Sequence, residues 1–323
     1  MMKTKIMIPN TDIEIHPLGL GTANAGLAWD GKNADRIFDA FLDMGGSLID
    51  TAHVYSDWVK PERARSERVI GDWLERSGKR NYIVLSTKGG HPDMTVPNPD
   101  THISRMRKED MESDLDSSLK QLRTDYIDIY FYHRDDERQS VEELIEVMEE
   151  FRRKGKIRYY GCSNWTTPRM KAADRYCSEK GYRGFVANQA LLNLGYKYMN
   201  PLEDDTLVYA DEEMQQYHRE HTGNLLMPYM GVCGGFFHKY IGQGPDAVKR
   251  SPYYTEGNLK VAERVKELCD KYHATVSQVV LGFFGQQDVD CAPLYGPQNA
   301  DQIEEAMKAF EIPFEKEDYM FDV

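Results

Sequence analysis

The chain has 323 residues, of which 41% are hydrophobic and 29% charged, enough for one large domain with a sizeable core and a hydrated surface. Acidic residues outnumber basic ones 53 to 40, and the net charge of −13 argues against general binding to nucleic acid or to an anionic membrane. No apolar run approaches the roughly 18 residues of a membrane span. The N-terminal Met-Met-Lys-Thr-Lys-Ile lacks the apolar core of a signal peptide, and the 5 cysteines include no Cys-x-x-Cys, so they read as reduced thiols of a cytoplasmic protein.

Residues 5–15 alternate loosely across Pro9-Asn10-Thr11-Asp12, the signature of a β-hairpin. A short strand is expected near 18–22, then a helix over 33–44 on the spacing of Ile37, Phe38, Phe41 and Leu42. From there the pattern repeats. Further apolar strands are predicted at 47–52, 82–87, 127–133, 157–162, 185–190, 224–230 and 289–294. Helices are predicted between them at 65–77, 104–121, 140–154, 167–180, 211–221, 275–286 and 299–309, with an extra helix from Leu259 to Tyr272 before the last repeat. The stretch 231–258, with its glycines and aromatics, reads as a functional loop.

Alternating strands and helices imply parallel strands with right-handed crossovers. Eight such units fit a closed (β/α)8 TIM barrel. An open doubly wound sheet is the alternative, and it should open with Gly-x-Gly-x-x-Gly after its first strand. Here Gly19-Leu20-Gly21 continues into Thr22-Ala23-Asn24, so the barrel is favoured. No linker divides the chain, and residues 1–323 are expected to form a single domain.

In a parallel barrel the C-terminal strand ends meet on one face, where active sites are built. Asp50 stands where the second barrel strand emerges, and Tyr55 follows in the next loop. Lys88 ends the third strand ahead of two glycines, and His133 ends the fourth. These four should converge. A phenol has an unperturbed pKa of about 10, so as an acid near neutral pH it needs a neighbouring cation, which a carboxylate can hold in place. Beyond Asp50 and His133 no set of strand-end Asp, Glu or His suggests a metal site, which disfavours a metal-dependent barrel isomerase.

At these residues the chain resembles the aldo-keto reductase family. Asp50-Thr51-Ala52-x-x-Tyr55, Ser86-Thr87-Lys88, Ser118 through Asp128 running into His133, and Gly155 through Asn164 are similar to its motifs in order and spacing. The resemblance runs from Gly19 to about Met307 and implies a barrel that binds an extended nicotinamide dinucleotide. It implies Tyr55 as general acid for carbonyl reduction, Lys88 as the cation that assists it, Asp50 as partner of Lys88, and His133 as the group that orients the carbonyl oxygen. It also implies that Ser163, Asn164 and Gln189 hold the nicotinamide carboxamide and that Thr22 touches that end. Gly296, Gln298 and Gln302 would lie at the adenosine phosphate, beside the start of the last helix.

Two departures stand out. Where the family commonly has Tyr-Ser-Pro-Leu on the seventh strand, this chain has Met227-Pro228-Tyr229-Met230, making Tyr229 the counterpart of the stacking tyrosine. Where many members carry Arg or Lys for the 2′-phosphate, this chain has Gln298, so dual use of NADP(H) and NAD(H) is expected. The partner is then a small carbonyl or alcohol. Trp29 and Trp58, in the loops after the first and second strands, are candidate pocket walls, and Trp165 is a rim aromatic. Aromatic side chains of the later loops (Tyr196, Tyr198, Phe236, Phe237, Tyr253 and Tyr254) suit a sugar or a planar aromatic carbonyl alike. The alternative is a non-catalytic, nicotinamide-binding regulatory subunit of the same fold.

Overall fold

The computed structural model describes residues 4–221 and 223–321. Strands β1 (Ile6–Met7) and β2 (Glu14–Ile15) form the antiparallel hairpin, with Ile6 opposite Ile15. Eight parallel strands follow: β3 (Gly19–Gly21), β4 (Leu48–Asp50), β5 (Val84–Gly89), β6 (Ile127–Tyr132), β7 (Ile157–Ser163), β8 (Ala187–Gln189), β9 (Leu225–Leu226) and β10 (Leu294–Tyr295). They lie side by side in the order β10-β3-β4-β5-β6-β7-β8-β9. The two end strands are joined in turn, the Ala292 N–H donating to the Leu226 carbonyl at 3.0 Å and the Leu294 N–H to the Pro228 carbonyl at 2.8 Å. The sheet is a (β/α)8 barrel.

Around it run α1 (Gly31–Asp43), α2 (Arg65–Ser77), α3 (Lys108–Leu122), α4 (Val141–Arg153), α5 (Thr167–Lys180), α6 (Glu212–Glu220), α7 (Phe236–Gln243), α8 (Glu256–Tyr272), α9 (Val276–Gly282) and α10 (Ala300–Met307). The helix α4 shows why such segments stop and start where they do. Ser140 and Glu143 form a reciprocal capping box, Glu142 and Glu143 lie in the first turn, and Arg152 and Arg153 in the last. Its buried stripe of Leu144, Ile145, Met148 and Phe151 faces the sheet.

Three expectations are corrected. The stretch 231–258 is not all loop, because it contains α7, whose Phe236 and Phe237 are buried with Tyr253 beneath α8. The last strand, expected at 289–294, is only Leu294–Tyr295, the preceding residues meeting β9 through a single bridge. The helix expected from 104 begins at Lys108, since Arg105 is held by the Gly90 carbonyl and the Asp114 carboxylate instead of entering a helical turn.

Strand side chains alternate between two faces, and here the alternation positions the site. Leu48, Ile129, Phe131, Tyr159, Ala187, Leu225, Ala292 and Leu294 fill the barrel interior, closed below by Ile6, Ile8, Ile13 and Ile15 of the hairpin. The neighbours Ile49, Leu85, Tyr130, Tyr132, Tyr160 and Cys162 point outward to the helices. Two residues on from an inward Leu48 comes Asp50, from Phe131 comes His133, and from Ala187 comes Gln189. Period two therefore carries each polar side chain to the upper end of the interior. Thr87, between Ser86 and Lys88, turns outward and donates to Glu67 of α2 at 2.7 Å.

Candidate active site

Lys88 is the hub. Its Nζ donates to Asp50 Oδ2 at 2.6 Å, to the Thr51 carbonyl at 2.7 Å and to the Tyr55 hydroxyl at 3.1 Å, using all three donors of an ammonium. The Lys88 and Asp50 side chains are each only 1% exposed. Burial, the largest single influence, works against the charged lysine, but the Asp50 carboxylate, helped by Tyr55, outweighs it and raises the Lys88 pKa. Asp50 is in turn held by the Ser86 hydroxyl at 2.7 Å and the Gln189 amide at 2.8 Å, both on Oδ1. Such a buried pair is tolerated because its remaining acceptor sites are filled.

Tyr55 reaches Lys88 from a tight turn, its N–H bonded to the Ala52 carbonyl. The next residue, Ser56, sits in the left-handed region at φ 71°, and its hydroxyl bonds to the carbonyls of Ala23 and Ala25. The loop that carries Tyr55 is thus fixed to the loop after β3. The Tyr55 and His133 rings meet edge to face at 5.6 Å. His133 is held neutral: burial lowers its pKa well below 6.5, and His91, Arg134 and Lys88 add to the effect. Its Nδ1 is buried with no hydrogen-bond partner among the described residues.

The four side chains line one cavity of about 430 Å³ that extends past Ser163, Asn164, Gln189 and Tyr229 to Gly296 and Pro297. Its polar wall matches an amide. Gln189 gives its Nε2 to Asp50 and keeps Oε1 without a partner among the described residues. Ser163 accepts from Asn164 Nδ2 at 3.1 Å and retains its own O–H donor. One donor beside one acceptor is the complement of a carboxamide. Asn164 is less available, because it is already a clasp. Its Nδ2 also donates to the His133 carbonyl, and its Oδ1 accepts from the Val208 N–H at 3.0 Å and the Tyr229 hydroxyl at 2.6 Å.

Comparison with known proteins adds the history to this geometry. The model of the Aldo/keto reductase family matches residues 17–320. The chain belongs to that family. Among curated relatives, the uncharacterized oxidoreductase YrpG of Bacillus subtilis (strain 168) is 29% identical, over 95% of this chain and 91% of the relative. An aryl-alcohol dehydrogenase of Pestalotiopsis microspora is 24% identical over 99% of this chain and 83% of its own length. An aryl-alcohol dehydrogenase [NADP(+)] of Phanerodontia chrysosporium is 24% identical over 98% and 83%. The chain is an oxidoreductase of the aldo-keto reductase type.

In this aldo-keto reductase the remaining candidate residues divide into three groups. Thr22 and Trp29 line the cavity, yet both side chains are committed elsewhere. The Thr22 hydroxyl donates to the Asp50 carbonyl at 2.8 Å, and Trp29 donates its indole N–H to the Pro297 carbonyl at 3.0 Å. Gln298 and Gln302 lie just beyond the cavity, at the N-terminus of α10, where the Gln302 Oε1 accepts the Gln298 N–H at 2.7 Å and Asn299 caps the Gln302 N–H at 3.0 Å. Trp58 is 48% exposed and is not among the residues lining the cavity. Trp165 is no rim residue: it is fully buried, packed against Tyr132 and Phe185.

Sequence reasoning missed Arg134, Asn24, Leu207, Met230 and Val232 in the cavity wall, and Ser86 behind Asp50. Arg134 and Ser86 had a signal, since Arg134 adjoins His133 and Ser86 lies two residues before Lys88, on the same face of β5. Leu207 had none, lying in a segment without periodicity. Among the described residues, no group of three or more His, Cys, Asp or Glu is arranged to hold a metal, and no helix is long and apolar enough to cross a membrane.

Proposed function

We propose that this aldo-keto reductase interconverts an aldehyde or ketone with its alcohol, using NADP(H) or NAD(H), and that aromatic aldehydes are among its substrates. The observation that carries the reading is the Lys88 ammonium shared between Asp50, Thr51 and Tyr55 at 2.6, 2.7 and 3.1 Å at the mouth of a closed barrel. Tyr55 gives its proton to the carbonyl oxygen, and Lys88 stabilises the phenolate that remains. Asp50 keeps Lys88 charged and in place. His133, neutral and adjacent, has one N–H to donate to the same oxygen without competing as an acid. The nicotinamide, when bound, supplies or accepts the hydride. Ser163 and Gln189 would hold its carboxamide, with Asn164 keeping Tyr229 and His133 in register. The aromatic preference rests on the wall of Trp29, Tyr55 and Tyr229 and on the names of two relatives.

Dual cofactor use rests on α10. Gln298 is exposed and neutral, and Asp301 is an acid in the first turn. A charge-assisted hydrogen bond exceeds a neutral one by about 1–1.5 kcal/mol, or roughly five- to tenfold in affinity. The kcat/KM values for NADPH and NADH are therefore expected within about tenfold of each other, with Gln298→Arg moving the ratio toward NADPH by roughly five- to tenfold. A hundredfold NADPH preference in the parent, unmoved by Gln298→Arg, would dismiss the argument. For the activity itself, purified protein is assayed with both reduced cofactors against aromatic aldehydes, aliphatic aldehydes, ketones and sugars, following loss of the reduced cofactor's absorbance. Turnover of aromatic aldehydes is expected. Cofactor binding without turnover of any carbonyl would overturn the reading in favour of a regulatory subunit.

A further inference from the structure

Among the described residues three charged side chains line the cavity: Asp50, Lys88 and Arg134. The first two neutralise each other at 2.6 Å, and all three donors of Lys88 are in use. That leaves Arg134 as the cation of the wall, in a chain whose net charge is −13. Arg134 is buried, and a guanidinium presents five N–H donors in a fixed plane. Nε donates to Thr206 Oγ1 at 3.0 Å, Nη1 to the His133 carbonyl at 3.0 Å and Nη2 to Asp204 Oδ2 at 3.1 Å. The other two N–H groups have no partner among the described residues.

The neighbouring carboxylate does not use up this charge. Asp204 meets Arg134 through one bond, not a two-pronged pair, and its side chain is 27% exposed. Its Oδ1 is taken by the backbone N–H and the hydroxyl of Thr206. Asp204 and Thr206 therefore fix the guanidinium plane while leaving part of its edge open, which reduces the ordering cost of a ligand. The position matters as well. Arg134 directly follows His133 and holds its carbonyl, and its charge reaches the rings of His91, His133 and Tyr229.

We propose that Arg134 is a specificity-determining residue whose two unpartnered N–H groups receive an anionic group, a carboxylate or a phosphate, carried by the substrate a few bonds from its carbonyl. The proposal rests on the carbonyl-reductase reading above. The bland role is mechanical: Arg134 ties the 204–208 segment to the end of β6, and the Val208 N–H of that segment donates to Asn164. Loss of a tie disturbs charged and neutral substrates alike. Loss of an anion contact changes their ratio.

The test compares kcat/KM for 4-formylbenzoate against the isosteric, neutral 4-formylbenzamide, and for glycolaldehyde phosphate against glycolaldehyde. Parent, Arg134→Gln and Asp204→Asn are assayed. The parent is expected to favour the charged member of at least one pair by roughly 10- to 100-fold, the scale of a charge-assisted contact, and the pair that does so identifies the anion. In Arg134→Gln the ratio falls toward one, whatever happens to the neutral substrate. In Asp204→Asn, which keeps an acceptor for Thr206 but removes the competing charge, the ratio rises. Ratios near one in the parent, or ratios unmoved in both variants, overturn the proposal, as does a fall in cofactor affinity with the ratios intact. If Arg134→Gln does not fold, Asp204→Asn decides alone. Should the parent turn over neither neutral aldehyde, the carbonyl reading fails separately. Calorimetric binding of 4-(hydroxymethyl)benzoate against 4-(hydroxymethyl)benzamide then still tests Arg134, with tighter carboxylate binding lost in Arg134→Gln as the supporting result and equal binding as the opposing one.

Discussion

Tyr55 and Lys88 touch, but removing each should do different damage. The hydroxyl of Tyr55 is bonded to Lys88 alone among the described residues, at 3.1 Å. Tyr55→Phe should therefore stay within about 1 kcal/mol of the parent's stability while kcat falls roughly 100-fold or more, the scale of general acid catalysis. Lys88→Met takes away the cation beside that hydroxyl, but it also leaves the buried Asp50 carboxylate without its counter-ion, and that costs roughly 3–5 kcal/mol. Urea denaturation alongside single-turnover kinetics separates the two. Unchanged turnover of Tyr55→Phe on a chemistry-limited substrate would remove the phenol from the mechanism. Equal destabilisation of both variants would make the pair structural. Asp50, Lys88 and His133 were legible because each is a polar residue ending an apolar run. The clasp made by Asn164 was not, since its bonds to Val208 and Tyr229 join residues 44 and 65 positions away.

At the level of elements, apolar runs pointed to eight barrel strands because such strands are buried on both faces, though β10 was met only at Leu294. The helix α7 escaped because it follows Gly234 and Gly235, which read as loop, and because its aromatic residues lack an apolar stripe long enough to show a period. Alternation within β6 and β7 makes a sharper claim. Gly161 points into the barrel interior beside Phe131, and a Cβ there would lie 2.4 Å from a Phe131 ring carbon and 2.5 Å from the Ala187 carbonyl oxygen. The ring has some freedom; the β8 backbone has little. Gly161→Ala should cost roughly 1–3 kcal/mol by overpacking, read from the urea midpoint. Phe131→Leu in the same chain should recover part of that loss, a coupling expected only for residues in contact. If Gly161→Ala is as stable as the parent, the interior is looser than described.

On the scale of the whole molecule, the eight-fold repeat was visible in the sequence, whereas the ionisation of buried histidines was not, because burial is a property of the assembled barrel. Burial lowers His16, His91 and His218 to about 4, and it holds His133 well below 6.5 as well. They are spread from the segment after the hairpin to the mouth and to α6, so their titration acts on the global fold. An unfolded histidine titrates near 6.5. Between about 6.5 and 4 the unfolded chain binds protons that the folded chain refuses. Stability from these groups is therefore complete above 6.5 and is lost as pH falls through that window, by up to about 1.4 kcal/mol per pH unit for each histidine. His218 isolates one such contribution. Its Nδ1 donates to the Asn224 carbonyl at 3.0 Å, and its Nε2 faces Asn188 Nδ2 at 3.3 Å, an arrangement that only neutral imidazole completes. The charge nearest in effect is His221, which adds to the shift. His218→Gln should lower stability at pH 7.5 yet flatten its fall between pH 6.5 and 4.5 by roughly one proton's worth of slope. Carboxylates titrating lower down affect parent and variant alike, so the difference between the two slopes is the measurement. Parallel slopes in urea denaturation across that range would show that His218 takes up its proton in the folded chain as readily as in the unfolded one.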